Sequence, residues 1–115
     1  MPLLKLETNV AVPDDKRNAL LSALAKIVAD TIGKPQQYVM ITLSPAAILM
    51  SAKPGDAAFI DLRSIGALAG NVSQQLSSKI CALLQQSLDI PPDRIYLNFT
   101  DIDAANWGWK GETFG

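Results

Sequence analysis

The sequence feature that most constrains the fold is a strand–helix–strand pattern that occurs twice along the chain. Residues 3–8 and 39–43 read as strands that enclose one helical segment, and residues 58–63 and 95–100 enclose a second. A helix between two parallel strands makes a right-handed crossover, so each half predicts one such unit. Together the two units predict an α/β fold with a four-stranded mixed sheet and both helices on one face.

Both helical segments carry apolar residues at three- and four-residue steps, the spacing of one face of an α-helix. The stripe of the first segment consists of Leu20, Leu24, Ile27, Val28 and Ile32. The stripe of the second consists of Val72, Leu76, Ile80, Leu83, Leu84 and Leu88. Pro13 suits the first turn of the first helix and Gly33 its C-terminal cap, while Pro91 and Pro92 end the second helix.

The length and the turn signals predict a single domain that spans residues 1–115. A chain of 115 residues has the usual size of one domain. Its pseudo-repeat halves, about 1–55 and 56–115, meet at the turn-forming sequence Lys53–Pro54–Gly55.

The face of the sheet away from the helices is expected to contact other subunits. The last strand alternates apolar residues with Tyr96, Asn98 and Thr100, which places these three on that face. The hydrophobic fraction is 49% and the charged fraction only 18%, which is much apolar content for one small domain to bury. We therefore expect part of the apolar surface to be buried between copies of the chain.

The charge and the missing residue types exclude several classes of function. A net charge of −1 gives no electrostatic footprint for nucleic acid or an anionic membrane, and no apolar run reaches the length of a membrane span. The chain has no histidine and only one cysteine, Cys81, which excludes His-based triads, an internal disulfide and Cys/His metal sites. We therefore expect no metal and no cofactor.

The first residues do not read as a targeting segment. Lys5 and Glu7 interrupt any signal-like apolar run near the N-terminus. This predicts a cytoplasmic protein, with secretion by a route without a signal peptide left open.

Several short motifs occur in a characteristic order along nearly the whole chain. Pro2 follows the initiator Met and begins a strand that ends in TNV; then come GKPQQYV at 33–39, SIG at 64–66, PDRIYLNFTDIDAANWGW at 92–109 and TF at 113–114. In these motifs the chain resembles the macrophage migration inhibitory factor family of the tautomerase superfamily. The resemblance implies the tautomerase fold with a short C-terminal edge strand, and a homotrimer whose three sheets enclose a channel.

The same resemblance implies a keto–enol tautomerase with the amine of Pro2 as its catalytic base. The substrates would be aromatic α-keto acids of the phenylpyruvate type, with dopachrome-like compounds as an extension. Removal of Met1 would expose the Pro2 nitrogen as a secondary amine, and burial beside Lys34 would lower its pKa. A neutral amine is a competent general base at physiological pH, and this chemistry needs no cofactor.

The resemblance also implies roles for further residues of the site. Lys34 would pair with a substrate carboxylate, and the Ile65 backbone N–H would meet the same anion. Tyr96 and Asn98 would enter from a neighbouring subunit of the homotrimer, where Asn98 hydrogen-bonds a distal substrate group and Tyr96 desolvates the site. The apolar mouth would be lined by Tyr38, Trp109 and Phe114, with Trp107 at the rim.

Other interpretations of these residues stay open on the sequence alone. Lys34 is also a cation at a helix end, where it suits the helix dipole. Tyr96 and Asn98 also suit a plain subunit interface, as do Trp107 and Trp109 on an edge strand.

Two alternative functions also remain. One is a binding or signalling protein that acts through protein contacts, with tautomerisation incidental. The chain lacks the CxxC pair of the animal cytokines, having Ala57–Ala58–Phe59–Ile60 there, and lacks their separated Arg–Asp feature, so redox and cytokine action are not expected. The other is hydration or dehalogenation of small unsaturated acids, which in the superfamily needs additional arginines or carboxylates in the pocket, a role that no motif assigns to Arg17, Arg63 or Arg94.

Overall fold

A computed structural model describes all residues of the chain, 1–115. The larger strands and helices are β1 (Pro2–Thr8), α1 (Asp14–Ile32), β2 (Met40–Pro45), β3 (Ala58–Ser64), α2 (Val72–Leu88) and β4 (Ile95–Asp101). Two short strands follow, β5 (Gly108–Trp109) and β6 (Glu112–Thr113). Single 3₁₀ turns lie at Gln36–Tyr38, Pro92–Arg94 and Ala104–Asn106.

The four long strands form one mixed sheet in the order β2-β1-β3-β4. β1 is parallel to β2 and β3 is parallel to β4, so the predicted parallel pair within each half is confirmed. The two halves meet through β1 and β3, which are antiparallel. This topology places β1, and therefore the N-terminus, in the middle of the sheet.

The core lies between the sheet and the two helices, which share one face of the sheet. Thirteen buried apolar residues form it, and they include the predicted helix stripes at Leu20, Leu24, Val28, Leu76, Ile80 and Leu84. The remaining stripe residues are partly buried against the same cluster. At about 25 cal/mol per Å² of apolar surface, this burial is the main stabilising contribution to the fold.

The ends of α1 set the geometry of the next loop. Gly33 caps α1 in the left-handed conformation, with φ +81°, and its N–H donates to the Ala29 carbonyl at 2.8 Å. The Lys34 N–H donates to the same carbonyl at 3.0 Å, which fixes Lys34 directly after the helix. Pro13 stands one residue before the first helical turn, because α1 begins at Asp14.

The helix-free face of the sheet is uncovered in the single chain. Along β4, Leu97 and Phe99 pack on the core, whereas Tyr96 is 67% exposed, so the predicted alternation is confirmed. Met40 on β2 and Phe59 on β3 are further exposed large apolar side chains. Neither α1 nor α2 combines the length and the apolar content needed to cross a membrane.

The C-terminal segment does form short strands, but they pair with each other rather than adding an edge to the main sheet. β5 and β6 form an antiparallel hairpin. The turn between them consists of Lys110 at φ +54° and Gly111 at φ +79°. Two successive residues with positive φ make the tight turn that suits a two-residue hairpin, so the chain reverses locally.

Candidate active site at the start of the central strand

A pocket of about 360 Å³ opens beside the N-terminus, where β1 begins. Its lining comes from four separate segments of the chain, and consists of Met1, Lys34, Pro35, Tyr38, Ile65 and Phe114. A second pocket, of about 400 Å³, lies beside Thr8 and Pro45 and is lined by no charged side chain. Only the first of these two pockets therefore combines an amine, a cation and apolar walls.

The start of β1 is buried on the helix side. Pro2 is the first residue of the strand, its side chain is fully buried, and it lies opposite Ser64 on β3. In the chain with Met1 attached, the Pro2 nitrogen belongs to a peptide bond and has no hydrogen. The free amine at the pocket is then the α-amine of Met1.

The surroundings of this amine disfavour its charged form. Burial, then the positive charge of Lys34, and then a hydrogen bond with Lys34 lower the pKa of the Met1 α-amine from 8.0 to about 6. Desolvation and a neighbouring ammonium are the causes expected for the Pro2 amine, and here they act on the amine of Met1, so the expectation for Pro2 itself stays a prediction. The α-amine of Met1 is therefore largely neutral at physiological pH.

Lys34 and Ile65 are brought together although they lie far apart in the sequence. The Lys34 Nζ donates to the Ile65 backbone carbonyl at 3.3 Å. The turn after β3 holds Ile65 in place, because the Gly66 N–H donates to the Asp101 carboxylate at 2.8 Å. Gly66 has φ +67°, a conformation in which glycine carries no steric penalty.

Aromatic side chains form the outer wall of the pocket. Tyr38 and Phe114 line it directly. Trp109 does not line it, but its ring stacks on Phe114, with 6.1 Å between ring centroids and an angle of 9° between the planes. The Lys110 Nζ lies 4.7 Å from the centroid of the Trp109 ring. The C-terminal hairpin thus places Phe114 in the wall and supports it with Trp109.

Three of the predicted site residues lie elsewhere within the single chain. Trp107 lines a separate groove of about 250 Å³ together with Leu3 and Arg63. Tyr96 and Asn98 lie on β4, which β3 separates from the Pro2 strand. The roles given to all three residues stay predictions. Those of Tyr96 and Asn98 require a second subunit.

Sequence reasoning missed Pro35, which lines the pocket beside Lys34. The residue stands in the GKP motif, and a proline next to a candidate binding lysine is a local signal of a rigid wall. The role of Asp101 in holding the turn at Gly66 was also missed, because it depends on a contact between distant segments.

Comparison with known proteins agrees with this architecture. The family profile described as "Macrophage migration inhibitory factor (MIF)" matches residues 1–115. Macrophage migration inhibitory factor of Meriones unguiculatus is 39% identical over 118 residues, which cover 99% of this chain and 99% of that protein.

Solved structures give the same result. A macrophage migration inhibitory factor homologue from Prochlorococcus marinus is 38% identical with a TM-score of 0.93, covering 98% of this chain and 99% of that one. A macrophage migration inhibitory factor-like protein from Entamoeba histolytica is 31% identical with a TM-score of 0.94, covering 98% of each chain. The chain belongs to the macrophage migration inhibitory factor family.

Proposed function

We propose that this protein is a keto–enol tautomerase of aromatic α-keto acids of the phenylpyruvate type, with the amine of Pro2 as general base after removal of Met1. The observation that carries the proposal is the pocket beside the N-terminus, where burial and the charge of Lys34 lower the pKa of the Met1 α-amine to about 6, and where both causes would act on the Pro2 amine once Met1 is removed. A base with a pKa near the working pH is both neutral enough to accept a proton and basic enough to hold it.

The proposed reaction needs one group that moves a proton. The neutral Pro2 amine takes a proton from the enol hydroxyl of the substrate and returns it to the carbon next to the carbonyl, or the reverse. The ammonium formed in between is short-lived because burial and Lys34 both disfavour it. One O–H bond is broken and one C–H bond is formed, while the C=C double bond of the enol becomes the C=O double bond of the ketone, or the reverse.

Substrate binding in the proposal uses the rest of the pocket. The Lys34 ammonium pairs with the substrate carboxylate, and the Ile65 backbone N–H donates to the same anion. Tyr38 and Phe114 enclose the aromatic ring and exclude water. Dopachrome-like compounds carry a carboxylate and a flat ring as well, so they fit the same description.

A homotrimer completes the proposed site. The pocket is open in the single chain, and Tyr96 lies 67% exposed on the uncovered sheet face. An adjacent subunit would bring Tyr96 and Asn98 to the open side of the pocket, where Asn98 hydrogen-bonds the distal end of the substrate. Exposed apolar side chains on that face, Met40 and Phe59 among them, favour its burial in an assembly.

Phenylpyruvate tautomerisation by wild-type protein beside Pro2→Gly tests the proposal, with the N-terminus of each confirmed by mass spectrometry. Glycine keeps a primary amine but loses the ring and the secondary-amine basicity, so we expect a loss of kcat/KM of about 100-fold or more. Full activity in protein that retains Met1 would contradict the role of Pro2. An inactive, Met1-free trimer would instead favour a protein that acts through binding.

A further inference from the structure

The two peptide groups on either side of Ile65 are both held by the end of β4. The Ile102 N–H donates to the Ser64 carbonyl at 2.9 Å. The Asp101 carboxylate accepts a hydrogen bond from the Gly66 N–H at 2.8 Å. The last residue of β4 and the residue after it therefore fix the peptide group before Ile65 and the peptide group after it.

The contact with Asp101 sets the direction of the Ile65 carbonyl. The Gly66 N–H and the Ile65 carbonyl belong to the same peptide group, and in a trans peptide group these two bonds point in opposite directions. Because Asp101 holds the N–H, the carbonyl points away from Asp101. The Lys34 Nζ lies on that side and donates to this carbonyl at 3.3 Å. One peptide group thus lies between a carboxylate and an ammonium, each bonded to one of its ends.

The peptide group before Ile65 is oriented in the same way. Its carbonyl is that of Ser64, which faces Ile102, so the Ile65 N–H points to the opposite side, away from β4. β1 is the neighbour of β3 on that side, and its first residue, Pro2, lies opposite Ser64. The Ile65 N–H is therefore directed to the side of β3 on which the N-terminus and its pocket lie.

The turn after β3 has a backbone conformation that needs support from outside. Gly66 has φ +67° and Ala67 has φ +65°. Glycine adopts this left-handed conformation without a steric penalty, whereas alanine does not. A non-glycine residue keeps such a conformation only where the surrounding structure holds it. The Asp101 carboxylate supplies a contact of this kind, since it binds the turn from another strand.

We infer that Asp101 is a positioning residue for the anion-binding end of the pocket. Its carboxylate orients the peptide group after Ile65, so that the Ile65 carbonyl holds the Lys34 ammonium beside the Ile65 N–H and both donors meet a substrate carboxylate. The role in substrate binding rests on the proposed function, whereas the contacts themselves do not. Asp101 does not line the pocket and acts only through the peptide group.

The charge of Asp101 also strengthens the hold on Lys34. Hydrogen bonds to a charged acceptor are stronger than those between neutral groups, and hydrogen bonds in a row polarise one another. A peptide group whose N–H is bonded to a carboxylate is therefore a better acceptor at its carbonyl. The Ile65 carbonyl is such an acceptor, and its partner is the Lys34 ammonium.

Binding of phenylacetate and of phenylacetamide to Met1-free protein tests the inference, with dissociation constants measured by NMR titration. The two probes share the ring and the chain length, and only phenylacetate carries a charge. Loss of one hydrogen bond predicts that Asp101→Ala binds phenylacetate about 3- to 10-fold more weakly than wild type does. Binding of phenylacetamide should be unchanged. Charge alone predicts the opposite result, because removal of a negative charge strengthens the binding of an anion.

Two further variants serve as controls. Asp101→Asn keeps an oxygen that can accept from the Gly66 N–H, so it should retain most of the affinity for phenylacetate. Asp103→Ala removes the same charge two residues further along, where the side chain makes no capping hydrogen bond, so its affinity should not fall. With phenylpyruvate, Asp101→Ala should raise KM about 3- to 10-fold and leave kcat unchanged, because the lost binding is the same in the ground state and the transition state.

The outcomes separate the inference from the proposed function. Unchanged or tighter binding of phenylacetate by Asp101→Ala would overturn the inference, and so would an equal loss for both probes, which would indicate a general distortion of the pocket. Wild type that does not prefer phenylacetate to phenylacetamide would overturn it as well. A wild type that binds phenylacetate in an Asp101-dependent way but does not convert phenylpyruvate would overturn only the proposed function.

Discussion

The two ends of the central β1–β3 pair use their polar groups in opposite ways. At the end formed by Thr8 and Ala57, hereafter the closed end, the buried Thr8 hydroxyl donates to the Ala57 carbonyl at 2.7 Å and accepts from the Val10 N–H at 3.1 Å. At the end formed by Pro2 and Ser64, hereafter the pocket end, the buried Ser64 hydroxyl has no hydrogen-bond partner. The same two strands thus begin and end in very different surroundings.

The closed end is also held by the loop that enters β3. The Arg94 guanidinium donates to four backbone carbonyls of that loop, those of Met50, Lys53, Gly55 and Asp56. The Asn9 side chain donates to Gly55 and accepts from Ala57, each at 2.8 Å. The closed end is thus held by many hydrogen bonds, whereas the pocket end carries the Met1 amine, whose charged form is disfavoured.

The largest effect that distinguishes the two ends should come from Lys34→Ala. The variant removes the pocket cation, and a hydrogen bond to a charged group contributes about 1.5 to 3 kcal/mol, so kcat/KM for phenylpyruvate should fall roughly 10- to 100-fold. Steady-state kinetics measure this, with Lys110→Ala as the control, since the Lys110 ammonium lies over Trp109 and outside the pocket lining. An equal loss in both variants would contradict a specific role for Lys34.

Arg94→Ala should affect the closed end alone. Loss of four carbonyl contacts should lower the free energy of unfolding by about 2 kcal/mol, because the bonds are partly solvated. Urea denaturation measures this, with Arg17→Ala as the control, whose exposed ion pair with Asp14 contributes under about 0.5 kcal/mol. The folded variant should keep its kcat/KM, and a selective loss of activity would show that the two ends are coupled.

The pH dependence of activity should report the pocket end. Only the neutral amine acts as a base, so activity falls as pH drops through its pKa. If the Pro2 amine takes the pKa of about 6 that the Met1 α-amine has at this place, kcat/KM should be about tenfold lower at pH 5 than at pH 7. In Lys34→Ala the acid side of the pH profile of kcat/KM should move to higher pH, because loss of the neighbouring charge raises the pKa of the amine. An unmoved profile would contradict the electrostatic role of Lys34.

Much of the fold follows from the sequence, because periodicity reports burial. The stripe around Leu24 and the stripe around Ile80 both face the core, and the alternation at Tyr96 marks the uncovered face. The hairpin was not predicted, because its turn places Lys110 in the left-handed conformation, and a lysine there is a weaker turn signal than asparagine or aspartate.

Only part of the candidate site could be predicted from the sequence. Lys34 and Ile65 meet in one pocket, yet no local pattern links them, and only the resemblance to a family joined them. Trp107 lines a separate groove of the single chain, and its expected place at the pocket rim stays a prediction. The places of Tyr96 and Asn98 depend on a second subunit, so neither the sequence pattern nor the single chain can determine them.

The smallest effect, and the one that tests the contrast between the two ends most directly, concerns their two buried hydroxyls. Ser64→Ala removes a hydroxyl that has no partner, so the free energy of unfolding should stay the same or rise by up to about 1 kcal/mol. Thr8→Val removes a hydroxyl that makes two hydrogen bonds, and leaves the Ala57 carbonyl and the Val10 N–H unpaired. In this variant the free energy of unfolding should fall by about 1 to 3 kcal/mol. Urea denaturation of both variants in Met1-free protein gives the comparison. Equal losses in the two would mean that Ser64 gains a partner once Met1 is removed, and that the pocket end is as fully bonded as the closed end.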